Sequence, residues 1–200
     1  MSNHYYSEKP TTESSRRNWS FNLRGMTLSF TSDTGVFSKK EVDFGTRLLL
    51  ETVELDGSEK TMLDVGCGYG PIGLTLAKEN KNSHVYLVDT NERAIELSIL
   101  NAQINDIDNV TVKKSDLLSN VNGVKFDIVL SNPPIRAGKK VVHQLFEEAF
   151  EHLEHDGVLW IVIQKKQGAP SAIEKLQELF GEVDVVKKSK GYYIIKSKKC

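Results

Sequence analysis

LDVGCGYGPIG, residues 63–73, decides the fold. The apolar run TMLDV (61–65) leads into it as a buried strand, and PIGLTLAKEN (71–80) leads out as a helix. Glycines 66, 68 and 70 permit positive φ and let backbone approach a ligand closely. The helix start adds N–H groups that have no intrahelical acceptor. The next strand, HVYLVD (84–89), ends on Asp89, an acid placed to accept hydrogen bonds from ribose hydroxyls. This pattern predicts a nucleoside-containing cofactor in the crevice beyond the strand ends.

Outward from the loop, strands and helices alternate. NERAIELSILNAQIN reads as a helix with Ile95, Ile99 and Ala102 inward, followed by the strands NVTVKK (109–114) and FDIVLS (126–131). KKVVHQLFEEAFEHL is a helix whose inner face is Val142, Leu145, Phe146, Ala149, Phe150 and Leu153. VLWIVI (158–163) is a strand, and SAIEKLQELF is a helix with a Ser171–Glu174 start. EVDVVKK and GYYIIKS close the chain as a hairpin. Upstream, WSFNLRGMTLSFT alternates around Arg24–Gly25 as a two-residue hairpin, with Trp19, Phe21 and Leu23 facing Met26, Leu28 and Phe30. Ser38 and Glu41 have capping-box spacing, so a helix is expected from near Lys39, with Phe44, Leu48, Leu49 and Val53 on one face. The expected fold class is α/β: a three-layer, doubly wound, mostly parallel seven-stranded sheet, with an N-terminal β-hairpin and a C-terminal antiparallel strand. Residues 1–18 are polar and read as a flexible tail, and 19–200 read as one domain that includes the hairpin and helix of 19–56.

Composition narrows the classes. VLWIVI is the longest apolar run, too short to span a bilayer, and the polar start MSNHYYSEKPTTESSRRN has no signal-peptide core. Two cysteines, 67 and 200, do not form a disulfide framework, which points to the cytoplasm. The net charge of -1 carries no global signature of nucleic-acid binding. The local distribution differs. Lys113 and Lys114, then Arg136, Lys139 and Lys140, then Lys165 and Lys166, then Lys187, Lys188 and Lys190 follow the carboxyl ends of successive strands. Acids (Glu54, Asp56, Glu59, Asp106, Asp108, Glu151, Glu154 and Asp156) precede them. Such a molecule is polarised, with its positive edge at the site. His152 and His155 sit three apart near a helix end, but no further ligand completes a metal shell, so no metal is expected.

GYGPIG also satisfies the dinucleotide spacing GxGxxG, which keeps an NAD-dependent dehydrogenase open. Against it, Gly66 and Cys67 stand between the strand and that motif, and Asp64 replaces a strand-end apolar residue. Asp64 with Gly66, Gly68 and Gly70 resembles the first motif of class I S-adenosylmethionine-dependent methyltransferases. The resemblance implies S-adenosyl-L-methionine (AdoMet) as cofactor, with the glycines beside its methionine part, Asp89 on the ribose, Asp116 at the adenine amino group, and Leu117 among the cofactor-binding residues.

SNPPI (131–135) resembles the Asn-Pro-Pro-aromatic motif of amino-group methyltransferases. A conjugated amine has its lone pair delocalised, and methyl transfer needs that pair aimed at the methyl carbon. Two acceptors on the N–H bonds achieve this, the Asn132 side-chain oxygen and the Pro133 carbonyl, with Pro133 and Pro134 restricting the backbone. Asn132 thereby borders both amine and cofactor. Ile135 departs from the motif's aromatic, and Phe37 is the candidate to stack on the substrate instead. GVFSKKEVDFGTRLLLE together with SNPPIRAGK resembles the small-subunit ribosomal RNA guanine-N2 methyltransferases, in a single-domain form without the extra N-terminal domain of better-known members. The resemblance implies guanine N2 of 16S ribosomal RNA as target and ribosomal RNA or the small subunit as partner. The oligomeric state is open, with a monomer favoured, and the local charge makes Arg136, Lys139 and Lys140 the first candidates for phosphate contacts. Adenine-N6 and protein-glutamine-N5 methyl transfer, or a non-catalytic RNA-binding relative, are the alternatives.

Overall fold

A computed structural model describes residues 9, 11–37 and 41–200. β1 (Arg17–Leu23) and β2 (Met26–Ser32) pair antiparallel, with Trp19 opposite Phe30 and Phe21 opposite Leu28. Arg24 and Gly25 both have positive φ, 52° and 77°, the primed turn that matches strand twist. α1 (Phe44–Thr52) follows. Then come β3 (Thr61–Val65), α2 (Pro71–Glu79), β4 (His84–Asp89), α3 (Glu92–Ile104), β5 (Val110–Lys114) and β6 (Phe126–Ser131). The chain ends with α4 (Lys139–His152), β7 (Leu153–Gln164), α5 (Ala169–Phe180), β8 (Gly181–Ser189) and β9 (Tyr192–Lys199).

The large sheet has seven strands in the order β5-β4-β3-β6-β7-β9-β8. β3 to β7 pair in parallel, and β9 alone runs against its neighbours. Strand alternation sorts the core into two layers. Met62, Ile128, Leu130, Trp160 and Ile194 face α1, α2, α3 and the hairpin, while Leu63, Val129, Leu159, Ile161 and Ile195 face α4 and α5. The seven-stranded, three-layer expectation therefore holds.

Some expectations are corrected. The Ser38–Glu41 box does not start α1. Ser38 and Lys39 lie outside the described residues, Glu41 precedes the helix, and Asp43 caps it by accepting from the Thr46 N–H at 3.1 Å. α5 starts at Ala169 behind Gly168 with no side-chain cap, because a proline in its first turn already lacks an N–H. Ile99 is exposed, since the hairpin covers the neighbouring face of α3 through polar side chains instead. Asn101 and Asn105, one helical turn apart, hydrogen-bond through their amides to the backbone of Thr31 and Ser29. They satisfy the open edge of β2 as a third strand would. Leu153 begins β7 rather than ending α4, and it is buried there. Thr12, Ser14 and Ser15, placed in the expected tail, contact Arg93 and Asp33.

β3 connects outward to β4 and β5, and the chain then returns to β6 on the other side of β3. The strand order reverses between β3 and β6, which opens a crevice at their carboxyl ends. Both sequence motifs sit there.

Candidate functional site

Ser131 joins the two motifs: at the end of β6 its hydroxyl donates to the Val65 carbonyl at 2.8 Å, at the end of β3. The glycine loop is pinned from below. Gly66 and Cys67 both donate their N–H to Val88 O, at 2.9 and 3.0 Å. Gly68 N–H donates to Asp89 Oδ2 at 2.9 Å, and Ser98 Oγ donates to Gly68 O at 2.8 Å. Gly70, at φ 101°, turns the chain into α2. A Cβ on Gly66, at φ 73°, would meet nothing within 4 Å: the loop leaves open space where a side chain would otherwise stand.

Asp64 is wholly buried beneath the loop. Its Oδ2 accepts the Gly73 N–H at 2.9 Å, and its Oδ1 has no partner among the described residues. Burial, with Asp89 nearby, pushes its carboxyl up to about 7. Asp89 is also held above the usual carboxylate range by burial, although the N–H groups of Asn91 and Gly68 pull it back. The Cys67 thiol is pushed up by burial and by the two acids, so it stays protonated.

Two cavities meet at Gly66 and Asn132. The first, about 190 Å³, is bordered by Asp89, Ser115, Asp116, Leu117, Pro134 and Val141. Leu117 has a positive φ of 48°, costly for a side chain of its size, and Ser115 Oγ holds its carbonyl at 2.7 Å. Asp116 is exposed, and neither its carboxylate nor the Leu117 N–H bonds to a described residue. An acceptor and a donor thus stand side by side at the cavity rim. The second cavity, about 270 Å³, is the more polar of the two and is bordered by Phe37, Asp43, Thr46, Pro133, Ile135 and Arg136. Gln164, Gln167, Tyr69 and Tyr192 also line it.

Asn132 stands at the junction. Its Nδ2 donates to Asp43 Oδ2 at 3.3 Å and to Thr46 Oγ1 at 3.2 Å, and its Oδ1 bonds to no described residue. The Pro133 carbonyl accepts the Ile135 N–H at 2.8 Å in a tight turn over Pro134, which leaves one lone pair open. Ile135 packs partly into the core, and Phe37 is half exposed at the rim.

The crevice therefore brings together Gly66, Gly68, Asp89, Asp116, Leu117, Asn132, Pro133, Pro134, Ile135, Arg136 and Phe37. Asp64 and Gly70 border neither cavity and act on the shape of the loop. Lys139 and Lys140 lie outside on the first turn of α4, exposed. Sequence reasoning missed Asp43, Thr46, Gln164, Gln167 and Tyr192. An Asp before FGTRLLL is a legible helix cap; Tyr192 carries no local signal and arrives through the antiparallel return of β9.

Residues 27–196 match the family model described as methyltransferase small domain. Over its full length the chain is 62% identical to a Bacillus subtilis protein described as 'Uncharacterized protein YbxB', covering 100% of both. Over 163 residues it is 34% identical to a Haemophilus influenzae protein described as ribosomal RNA small subunit methyltransferase C, covering 80% of this chain and 48% of that one. Among solved structures, the T. thermophilus 16S rRNA N2 methyltransferase in complex with AdoMet and guanosine superposes with a TM-score of 0.85 at 25% identity. That match covers 96% of this chain and 52% of the other. The chain spans about half the length of these ribosomal RNA methyltransferases.

Proposed function

The chain belongs to the methyltransferase small domain family, and from that premise we propose that it transfers a methyl group from AdoMet to guanine N2 of ribosomal RNA. The observation that carries this reading is the Asn132 amide at the junction of two cavities, with its nitrogen tied to the start of α1 and its oxygen bonded to no described residue.

The smaller cavity fits the nucleoside half of the cofactor. Asp116 carboxylate beside Leu117 N–H matches the acceptor–donor need of an adenine edge, whose amino group donates and whose ring nitrogen accepts. Asp89 keeps lone pairs for ribose hydroxyls while Gly68 and Asn91 N–H groups fix its carboxylate. Gly66 leaves room at the junction for the chain that carries the sulfonium. Bound there, AdoMet supplies a methyl carbon open to in-line displacement.

The chain's own groups prepare the amine. Asn132 Oδ1 accepts one N–H, and the open lone pair of the Pro133 carbonyl accepts the other. Both strengthen as the nitrogen becomes cationic, so they favour the transition state over the ground state. No strong base is needed, because the resulting ammonium is acidic. Arg136 at the cavity wall offers donors only, which suits the guanine O6 acceptor. Ile135 and Phe37 flank the space for the base. In this reading Asp64 and Gly70 support the cofactor through the loop rather than by touch.

Charge supports an RNA partner. Arg136, Lys139, Lys140, Lys165, Lys166, Lys187, Lys188 and Lys190 are exposed along the carboxyl edge of the sheet, and none forms an ion pair with a described residue. At the opposite edge Lys198 is paired with Asp156 at 2.9 Å. α4 has no acid in its first turn and no side-chain cap, and it begins Lys139–Lys140, where the helix dipole favours an anion. We assign Lys139 and Lys140 to backbone phosphates. No helix among the described residues is long and apolar enough to cross a membrane. The test is to map methylated nucleotides in ribosomal RNA from cells lacking the gene. The reading requires one guanine to lose its N2 methyl group, and requires the wild-type gene but not Asn132→Ala to restore it.

A further inference from the structure

An Asn side chain presents either an acceptor or a donor, depending on a half-turn about its last bond. The chemistry above needs oxygen toward the amine, and that reading is the one this inference rests on. Asn132 Nδ2 faces Asp43 Oδ2 at 3.3 Å and Thr46 Oγ1 at 3.2 Å. A carboxylate oxygen can only accept. With the amide reversed, its oxygen would face that carboxylate, two acceptors without a proton between them. Its N–H groups would then point at the incoming amine, donor against donor. Asp43 is itself fixed, because the same Oδ2 caps α1 by accepting the Thr46 N–H at 3.1 Å. The two partners come from the start of α1, 86 to 89 residues upstream, and both border the larger cavity.

We propose that Asp43 and Thr46 are positioning residues for the methyl transfer: together they take the Asn132 N–H groups and so hold its oxygen toward the amine. The N-terminus of α1 thereby has two tasks on one carboxylate, capping the helix and setting the polarity of the Asn132 amide. A helix cap alone needs no second acceptor on Thr46, and Asn132 alone has no preference between its two orientations.

The variants separate the two tasks. Asp43→Ser keeps a good N-cap but is too short to reach Asn132. Thr46→Val keeps the branched shape and the capped N–H but removes the acceptor, and Thr46→Ser restores it. The assay is transfer of labelled methyl from AdoMet to ribosomal RNA prepared from cells lacking the gene. Asp43→Ser and Thr46→Val are expected to lower kcat by about tenfold or more, with Thr46→Ser within about threefold of wild type. KM for AdoMet and Tm stay near wild type in all of them. In the protein without substrate, the two Asn132 side-chain amide protons, identified by their loss in Asn132→Ala, exchange slowly in wild type and faster in Asp43→Ser. Wild-type kcat in both Asp43→Ser and Thr46→Val, beside an inactive Asn132→Ala, overturns the proposal and leaves the proposed function standing. Loss of kcat matched by an equal loss of Tm or of AdoMet affinity also overturns it, since capping alone then explains the effect. Full turnover in Asn132→Ala overturns the underlying reading as well, and that variant alone reveals it.

Discussion

Asp64 shows how much one buried atom can determine. Its Oδ2 holds the first turn of α2 through Gly73, while its Oδ1 is enclosed without a donor among the described residues. An uncompensated charge there is costly, and the group responds by keeping its proton, with its carboxyl raised from 3.8 to about 7. Between those two values the folded chain retains a proton that the unfolded chain has released, so a rise in pH favours unfolding. Stability is therefore expected to fall from about pH 4 to about pH 7 and then level off, and Asp64→Asn should flatten that slope in denaturant titrations run across the range. Asp89, raised by burial as well, adds to the slope with the same sign. At the junction, Asn132→Ala should cost about 10²–10³ in kcat, as loss of a preorganised polar group does, while calorimetry still finds AdoMet bound. Sequence marked Asp64, Asp89 and Asn132 by motif. It did not separate the acid that faces a cavity from the one that lies under the loop, because that difference depends on what covers each of them.

Among the elements, α2 and its glycines separate folding from binding. A Cβ on Gly73 would lie 2.6 Å from Leu87 Cγ and 2.8 Å from Cδ2, so the helix sits against β4 at a distance only glycine allows. Gly73→Ala should cost about 1–3 kcal/mol through overpacking, seen as a lowered Tm, with AdoMet affinity of the folded protein retained. Gly66→Ala meets no atom, yet it costs about 1–2 kcal/mol for its left-handed backbone and sends a methyl group into the space shared by both cavities. Calorimetry should find its AdoMet binding the weaker of the two. α4 offers a reverse case. Lys139→Glu corrects the charge at the helix start and should stabilise by about 0.3–1 kcal/mol. The same change should weaken RNA binding in a filter or anisotropy assay. The alternation of strands and helices was legible from hydrophobic period, and so were most element bounds. Helix starts were less so: Ser38–Glu41 and Ser171–Glu174 have the spacing of caps, but Asp43 and Gly168 occupy the cap positions.

At the scale of the molecule, near-neutrality conceals polarity. Arg136, Lys139, Lys140, Lys165, Lys166 and Lys190 lie where the sheet's parallel strands end and pair with no described acid, whereas Lys114, expected on the same edge, is taken by Glu92 at 3.0 Å. The edge around the unpaired ones is expected to meet phosphate. RNA binding should then weaken steeply with salt. Replacing Lys187 and Lys188 with alanine should reduce the slope of log K against log salt by about 0.7–0.9 for each phosphate that is no longer neutralised. An unchanged slope would remove those two lysines from the interface. By itself the sequence determined the fold class and a crevice for a nucleoside-containing cofactor, because hydrophobic period, glycine spacing and proline act locally and survive reading in one dimension; AdoMet came from the resemblance of its motifs to a family. Only the tertiary structure decided how the site is finished. Asp43 and Thr46 reach Asn132 across 86 to 89 residues, and Tyr192 enters the wall because β9 runs back along β7. Hydrogen bonds between distant segments depend on distances that packing sets, and no local pattern in the chain encodes them.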